Sequence, residues 1–187
     1  GSMEEPPGNQ SPGNPTSPYA AAKSAATAYA HMFQALYGTP IVIAKLFMVY
    51  GPRQRDSTKL IPYVCTALHS GRIPKVSAGD RPVDWIFVRD VVEALLACGV
   101  VPGIEGDSFD IGSGVMTTVR CVVEKLVDMK DSNMKIPFGA IPDRPNETVQ
   151  KAKLDRALER LNWRPTTKLS HGLRLTFDWY RNPSAST

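Results

Sequence analysis

No stretch of this sequence is apolar for long enough to span a membrane, and no signal peptide is recognisable, so a cytosolic protein without membrane partners is expected. Cysteine is scarce: Cys65, Cys98 and Cys121 are odd in number, widely spaced and set in apolar helical patterns. They have neither disulfide nor zinc spacing and are read as buried thiols in a reducing compartment. Histidine is equally scarce, and His31, His69 and His171 lack the spacing of metal ligands, so no metal is expected. The chain also lacks a basic run. Its 22 Lys and Arg against 18 Asp and Glu are spread along the sequence and leave a net charge of +4. That pattern argues against a nucleic-acid partner and leaves anionic small molecules open.

What is present fits one globular core. The length of 187 residues, with 42% hydrophobic and 21% charged, is ordinary for a folded domain. Gly1-Ser2 ahead of Met3 reads as a cloning scar, and the Pro- and Gly-rich residues up to 16 read as a loop or flexible tail. Ser17 suits a helix N-cap and Pro18 the first helical position, with Gly38 and Pro40 as the stop. The helix over 17–37 carries a stripe of Ala22, Ala26, Tyr29, Phe33 and Leu36, small enough in part for close approach of another element.

The apolar, β-branched run 41–47 predicts a strand covered on both faces of a parallel sheet. Beyond it the pattern predicts helices over 60–70, 90–98 and 118–129, the last introduced by Gly112-Ser113-Gly114. Strands are expected at 75–77, 83–87, 108–111 and 135–141, and closing helices at 153–161 and 169–180. Strands alternating with helices argue an α/β fold, here one domain over 17–187 without internal repeat.

Tyr19 and Lys23 stand four residues apart at the head of the first helix. That spacing puts both on one face, where an ammonium beside a phenol favours the phenolate and so acid–base chemistry. The same spacing also occurs on solvated helix faces. The segments that follow weigh on the choice.

In chain order, Ser17-Pro18-Tyr19-Ala20-Ala21-Ala22-Lys23, Leu46-Phe47-Met48-Val49-Tyr50-Gly51-Pro52-Arg53-Gln54 and Lys59-Leu60-Ile61-Pro62 are followed by Val83-Asp84-Trp85-Ile86-Phe87-Val88-Arg89-Asp90-Val91. Phe109-Asp110-Ile111-Gly112-Ser113-Gly114 and Leu161-Asn162-Trp163-Arg164-Pro165 complete the series. Together they resemble the extended short-chain dehydrogenase/reductase family, in particular the NAD-dependent epimerases and dehydratases of nucleotide sugars. The resemblance implies the C-terminal part of a Rossmann-type parallel sheet joined to a small substrate-binding α/β domain. It also implies that Tyr19 is a general acid/base and that Lys23 lowers its pKa and binds the nicotinamide ribose of NAD or NADP.

The family's Gly-x-x-Gly-x-x-Gly turn, which lets a pyrophosphate approach a helix N-terminus, has no counterpart in this sequence. Gly112-Ser113-Gly114 lacks the third glycine and reads as a tight turn. The family's Ser or Thr, which hydrogen-bonds the reacting sugar oxygen, lies on a strand expected to fall before residue 1. Ser17 is no substitute, because an N-cap hydroxyl is committed to the helix backbone. The chain alone is therefore expected not to bind NAD or NADP.

On the substrate side, the resemblance aligns Lys59, Leu60, Val76 and Ala78 with the wall of the nucleotide pocket, positions that equally suit ordinary core. Met48 stands where the family commonly has Asn and Val83 where it has Arg, so Arg81 is the candidate for the diphosphate. Arg144 and Glu147 resemble the element that clamps phosphate and ribose, or else form a solvated loop ion pair. The implied ligand is a nucleoside-diphosphate sugar. Related enzymes usually pair through the Tyr-x-x-x-Lys helix, which implies a homo-oligomer. The rival reading is a non-catalytic nucleotide-binding or oligomerisation module derived from the same family.

Overall fold

The computed structural model describes residues 1–5, 15–130, 134–143 and 149–181. Helix α1 (Pro18–Tyr37) begins where Ser17 Oγ accepts the Ala20 N–H at 3.0 Å and ends at Gly38, whose φ of 62° suits a residue without a Cβ. The run after it forms one strand, β1 (Ile43–Leu46), within the expected 41–47; β2 (Met48–Tyr50) follows directly, and the chain passes from one sheet to another at Phe47. Phe47 still donates its N–H to Ile111 O at 3.0 Å.

Then follow α2 (Leu60–His69), β3 (Pro82–Phe87), α3 (Val88–Val100), β4 (Ser108–Ile111), β5 (Met116–Thr118), α4 (Val119–Lys130), α5 (Asp155–Leu161) and α6 (Leu169–Arg181). β1 pairs in parallel with β4, from Ile43 opposite Ser108 to Leu46 opposite Ile111. β2 pairs in parallel with β3, and β3 pairs antiparallel with β5. Strand β5 occupies the ground just before the expected helix start. The strands expected at 75–77 and 135–141 reduce to a single parallel bridge between Val76 and Phe138.

Two apolar clusters form. In one, α2, α4 and α6 cover Tyr50, Val83, Trp85 and Phe87, with Leu68, Leu126, Leu173 and Phe177 fully buried. Each such side chain contributes about 2 kcal/mol of burial. Gly172 lets α6 settle on the sheet, since a Cβ there would collide with the Tyr50 phenol and the Phe87 ring. In the other cluster, α3 and α5 enclose Phe47, Ile86, Phe109 and Ile111.

Met3 packs in that second cluster. Leu46 donates its N–H to Gly1 O at 3.3 Å, Met3 donates to Leu46 O at 3.0 Å, and Ser2 bridges Leu46 in parallel. Residues 1–3 thus lie along the free side of β1 as a third strand position. The remainder of the segment, residues 6–14, lies outside the described residues. β1 itself is buried at Ile43 and only half-buried after it, so the expected cover on both faces is incomplete.

Candidate functional site

Tyr19 and Lys23 sit on the first turns of α1, one above the other, with Lys23 Nζ 5.5 Å from the centroid of the Tyr19 ring. Tyr19 is 51% exposed and therefore open to a ligand. Lys23 also lies near the strand position formed by residues 1–3. The Gly1 amine is held below its ordinary value by burial first, with Glu5 opposing and Lys23 and Lys45 adding repulsion. Ser2 is buried, its hydroxyl accepts the Glu4 N–H at 3.3 Å, and its N–H donates to Glu5 Oε1, whose other oxygen holds Thr27 of α1.

The substrate-side residues gather elsewhere, around the second sheet. Lys59 is the exposed N-cap residue of α2, and Leu60 opens that helix. Tyr63, one turn on, accepts the Lys75 N–H at 3.0 Å and so draws the start of α2 to the strip that runs from Val76 to Arg81. Val76 is buried and Ala78 half-buried. Arg81 O accepts the Val119 N–H at 3.1 Å at the head of β3. Val83 is fully buried in the apolar cluster, so its position offers nothing to a phosphate.

Two residues of this neighbourhood were not selected from the sequence. Arg120 donates to Ala78 O at 2.6 Å, lies 3.5 Å from an Asp80 carboxylate oxygen, and stacks 4.0 Å from the centre of the Phe138 ring. Cation and ring together make a flat, positively charged wall beside Ala78. Only the tertiary bridge between Val76 and Phe138 brings Phe138 there, so local pattern could not have found it. Arg144 and Glu147 lie outside the described residues.

The Gly112-Ser113-Gly114 turn is closed to phosphate. Asp84, fully buried, accepts the Ser113 N–H at 2.6 Å, the Ser113 hydroxyl at 2.7 Å, and the Gly114 and Ala152 N–H groups at 3.0 Å each. The amides that a pyrophosphate would require are thus already bound to a carboxylate. Asp90 acts in the same way on the 163–167 loop, accepting from the backbone and hydroxyl groups of Thr166 and Thr167. A cavity of about 310 Å³ lies between Trp85, Ser113, Thr117 and residues 165–169. Of its hydroxyls, those of Thr166 and Thr167 donate to Asp90, while that of Ser113 is held by Asp84 and by the backbone of Val115. Among the described residues no group of three His, Cys, Asp or Glu could hold a metal ion.

The NAD dependent epimerase/dehydratase family matches residues 1–112, a span that takes in Tyr19 and Lys23. UDP-glucose 4-epimerase of Mycolicibacterium smegmatis is 33% identical over 178 residues, covering 92% of this chain and 56% of that protein. The structure of UDP-glucose 4-epimerase from Thermotoga maritima with UDP-glucose superposes with a TM-score of 0.83 at 27% identity, over 91% of this chain and 55% of the other. That of dTDP-glucose 4,6-dehydratase from Bacillus anthracis in complex with NAD gives a TM-score of 0.83 at 25% identity, over 96% of this chain and 57% of the other. The chain spans about half the length of the curated relatives it matches.

Proposed function

Because the chain belongs to the NAD dependent epimerase/dehydratase family, we propose that it forms the acid–base and sugar-nucleotide part of an NAD(P)-dependent nucleotide-sugar epimerase or dehydratase. The observation that carries this reading is Lys23 lying 5.5 Å from the ring centroid of an exposed Tyr19 at the head of α1. When bound, the nicotinamide supplies hydride acceptance and return. Tyr19 takes the proton of the sugar hydroxyl that is oxidised and later gives it back. Lys23 offers its donors to the nicotinamide ribose. The strip from Val76 to Arg81, with Lys59, Leu60, Arg120 and Phe138, receives the nucleoside diphosphate, and Arg144 and Glu147 are assigned to its phosphate and ribose by resemblance alone.

The described residues fit only the nicotinamide-ribose end of the cofactor. Their one Gly-x-Gly turn has its amides bound to Asp84. Calorimetry of this chain with NAD and NADP is expected to give no binding in the low micromolar range, and a dissociation constant there, worth about 8 kcal/mol, would overturn the assignment of the absent pyrophosphate site. Turnover is tested by following UDP- and dTDP-linked hexoses by NMR with NAD present, where Tyr19→Phe removes any conversion. The same limits favour a second reading, a nucleotide-binding or oligomerisation module without turnover. UDP and dTDP titrations that Arg120→Ala weakens, in a chain inert toward every hexose tried, would select it.

We also propose that a second copy covers α1. Its stripe of Ala22, Ala26, Tyr29, Phe33 and Leu36 is exposed along its whole length. Light scattering at micromolar concentration is expected to report a dimer or larger assembly that Ala26→Glu weakens. A folded monomer would refute it. A reducing cytosol is the compartment that fits three unpaired thiols.

A further inference from the structure

We propose that Glu5 is a positioning residue, the clamp that sets the height and rotation of the Tyr19–Lys23 helix against the strand position carrying Ser2. The inference rests on the acid–base reading above and adds a residue to it.

Glu5 is 5% exposed, and a carboxylate so deeply placed persists only where its oxygens are hydrogen-bonded. Both are. Oε1 accepts the Ser2 N–H at 2.5 Å and Oε2 accepts the Thr27 hydroxyl at 2.8 Å. The backbone of Glu5 is held as well, since its N–H donates to Ser2 O at 3.1 Å and its carbonyl accepts from Gln150 Nε2 at 2.7 Å. One oxygen therefore grips the strand position and the other grips α1, from a residue that is itself fixed to the body.

Thr27 follows Lys23 by four residues and Tyr19 by eight, so the three lie along one stripe of the helix. The clamp acts on the stripe that carries the chemistry. It matters because α1 is otherwise thinly held: of its 20 residues, Ala20 is the one that is buried. A helix with so little packing slides or rolls at small cost, and a displacement of about 1 Å between acid–base groups costs on the order of a hundredfold in rate. Glutamine keeps the length and one oxygen, while its amide turns to Thr27 as a donor and the hydroxyl reverses to accept. Glu5→Gln should therefore preserve the clamp without the charge, and Glu5→Ala should release it.

The test uses the full chain and two readouts. Hydrogen exchange is measured on wild type, Glu5→Gln, Glu5→Ala and Thr27→Val. Exchange across α1 is expected to quicken about tenfold in Glu5→Ala and Thr27→Val, to stay within about threefold in Glu5→Gln, and to leave α6 unchanged in all. Where wild type converts a nucleotide sugar, kcat is expected to fall about 10- to 100-fold in Glu5→Ala with KM within about twofold, and Glu5→Gln to recover most of it. Unchanged α1 exchange in Glu5→Ala overturns the proposal, as does a Glu5→Gln variant as impaired as Glu5→Ala, which would assign the effect to charge. Equal acceleration in α6 overturns it too, because the residue would then serve general stability. If wild type converts no sugar, as a chain without the pyrophosphate site is expected to behave, the exchange data alone decide whether Glu5 is the clamp.

Discussion

Helix α1 runs 20 residues and buries one, whereas α2 runs 10 residues and buries six. The longer helix is held by its own chemistry: an Ala-rich sequence, a Ser17 cap and a Gly38 stop. The shorter one has no side-chain cap at Lys59 and is held by Ile61, Val64, Cys65 and Leu68 in the core. The contrast extends to what surrounds them. Around α2 the sheet and three helices close on themselves. Around α1 large apolar side chains stay in solvent, Tyr29 at 64% and Leu36 at 68% exposure among them. A helix formed this way has a shape before it has a partner, which suits a surface meant to be covered.

The sharpest way to break that contrast is truncation on both sides of it. Phe177→Ala empties a fully buried site in the closed half and is expected to cost about 3–5 kcal/mol in urea unfolding. Phe33→Ala, 45% exposed on α1, is expected to cost under about 0.5 kcal/mol in a dilute monomer. Equal losses would mean that the α1 face is already covered in solution. Next in size is the anchor at Asp84, whose four donors would be left facing an amide or a methyl. Asp84→Asn is expected to cost about 2–3 kcal/mol by thermal unfolding, and Asp84→Ala at least as much.

Alkali should probe the closed half selectively. Burial pushes the Cys65 thiol up to about 12 from its ordinary 9.0, and pushes the Tyr50 phenol up further still, with Asp90 adding to it. Both groups keep their protons longer in the folded state than in the unfolded one. Their stabilising contribution is therefore complete below pH 9.0 and is lost as pH rises above it. Cys65 alone steepens the loss by at most about 1.4 kcal/mol per pH unit between those limits. Denaturant midpoints from pH 8 to 11 should fall more gently in Cys65→Ala, once its cavity cost is subtracted at pH 8. An unchanged slope would mean that the thiol is reached by water.

How much of this was legible in the sequence follows the same division. The helices over 17–37 and 60–70, the strands at 83–87 and 108–111 and the closing helices announce themselves by caps, breakers and period, which are local. The Tyr19–Lys23 pair is local too. What escaped depends on distant partners. β1 and β2 stand on either side of Phe47 yet pair with β4 and β3, strands far along the chain, a change of sheet that the apolarity around Phe47 does not mark. Phe138 reaches the 76–81 strip through a bridge to Val76, and Asp84 reaches Ala152 across 68 residues. Glu5 was hidden in a Pro- and Gly-rich segment, and its burial rests on hydrogen bonds to Ser2, Thr27 and Gln150, which composition does not encode.

The smallest effect separates the two kinds of helix most cleanly. Ser17→Ala removes an oxygen that satisfies the Ala20 N–H, a change worth about 1 kcal/mol in typical hosts. In a helix welded to a core that loss appears in the global unfolding free energy, because the first turn cannot fray without exposing buried side chains. In α1 it should appear only locally. Amide exchange over residues 19–22 is expected to rise about fivefold while the urea midpoint of the α2–α4–α6 half stays within error, since Ala20 is the one buried residue the turn would expose. Tyr19 rides on that turn, so the same substitution should loosen the ring beside Lys23 and lower any turnover without lowering the melting temperature. A matching drop in the global midpoint would show that α1 is coupled to the closed half more tightly than its burial indicates, and would bring the two helices under one account.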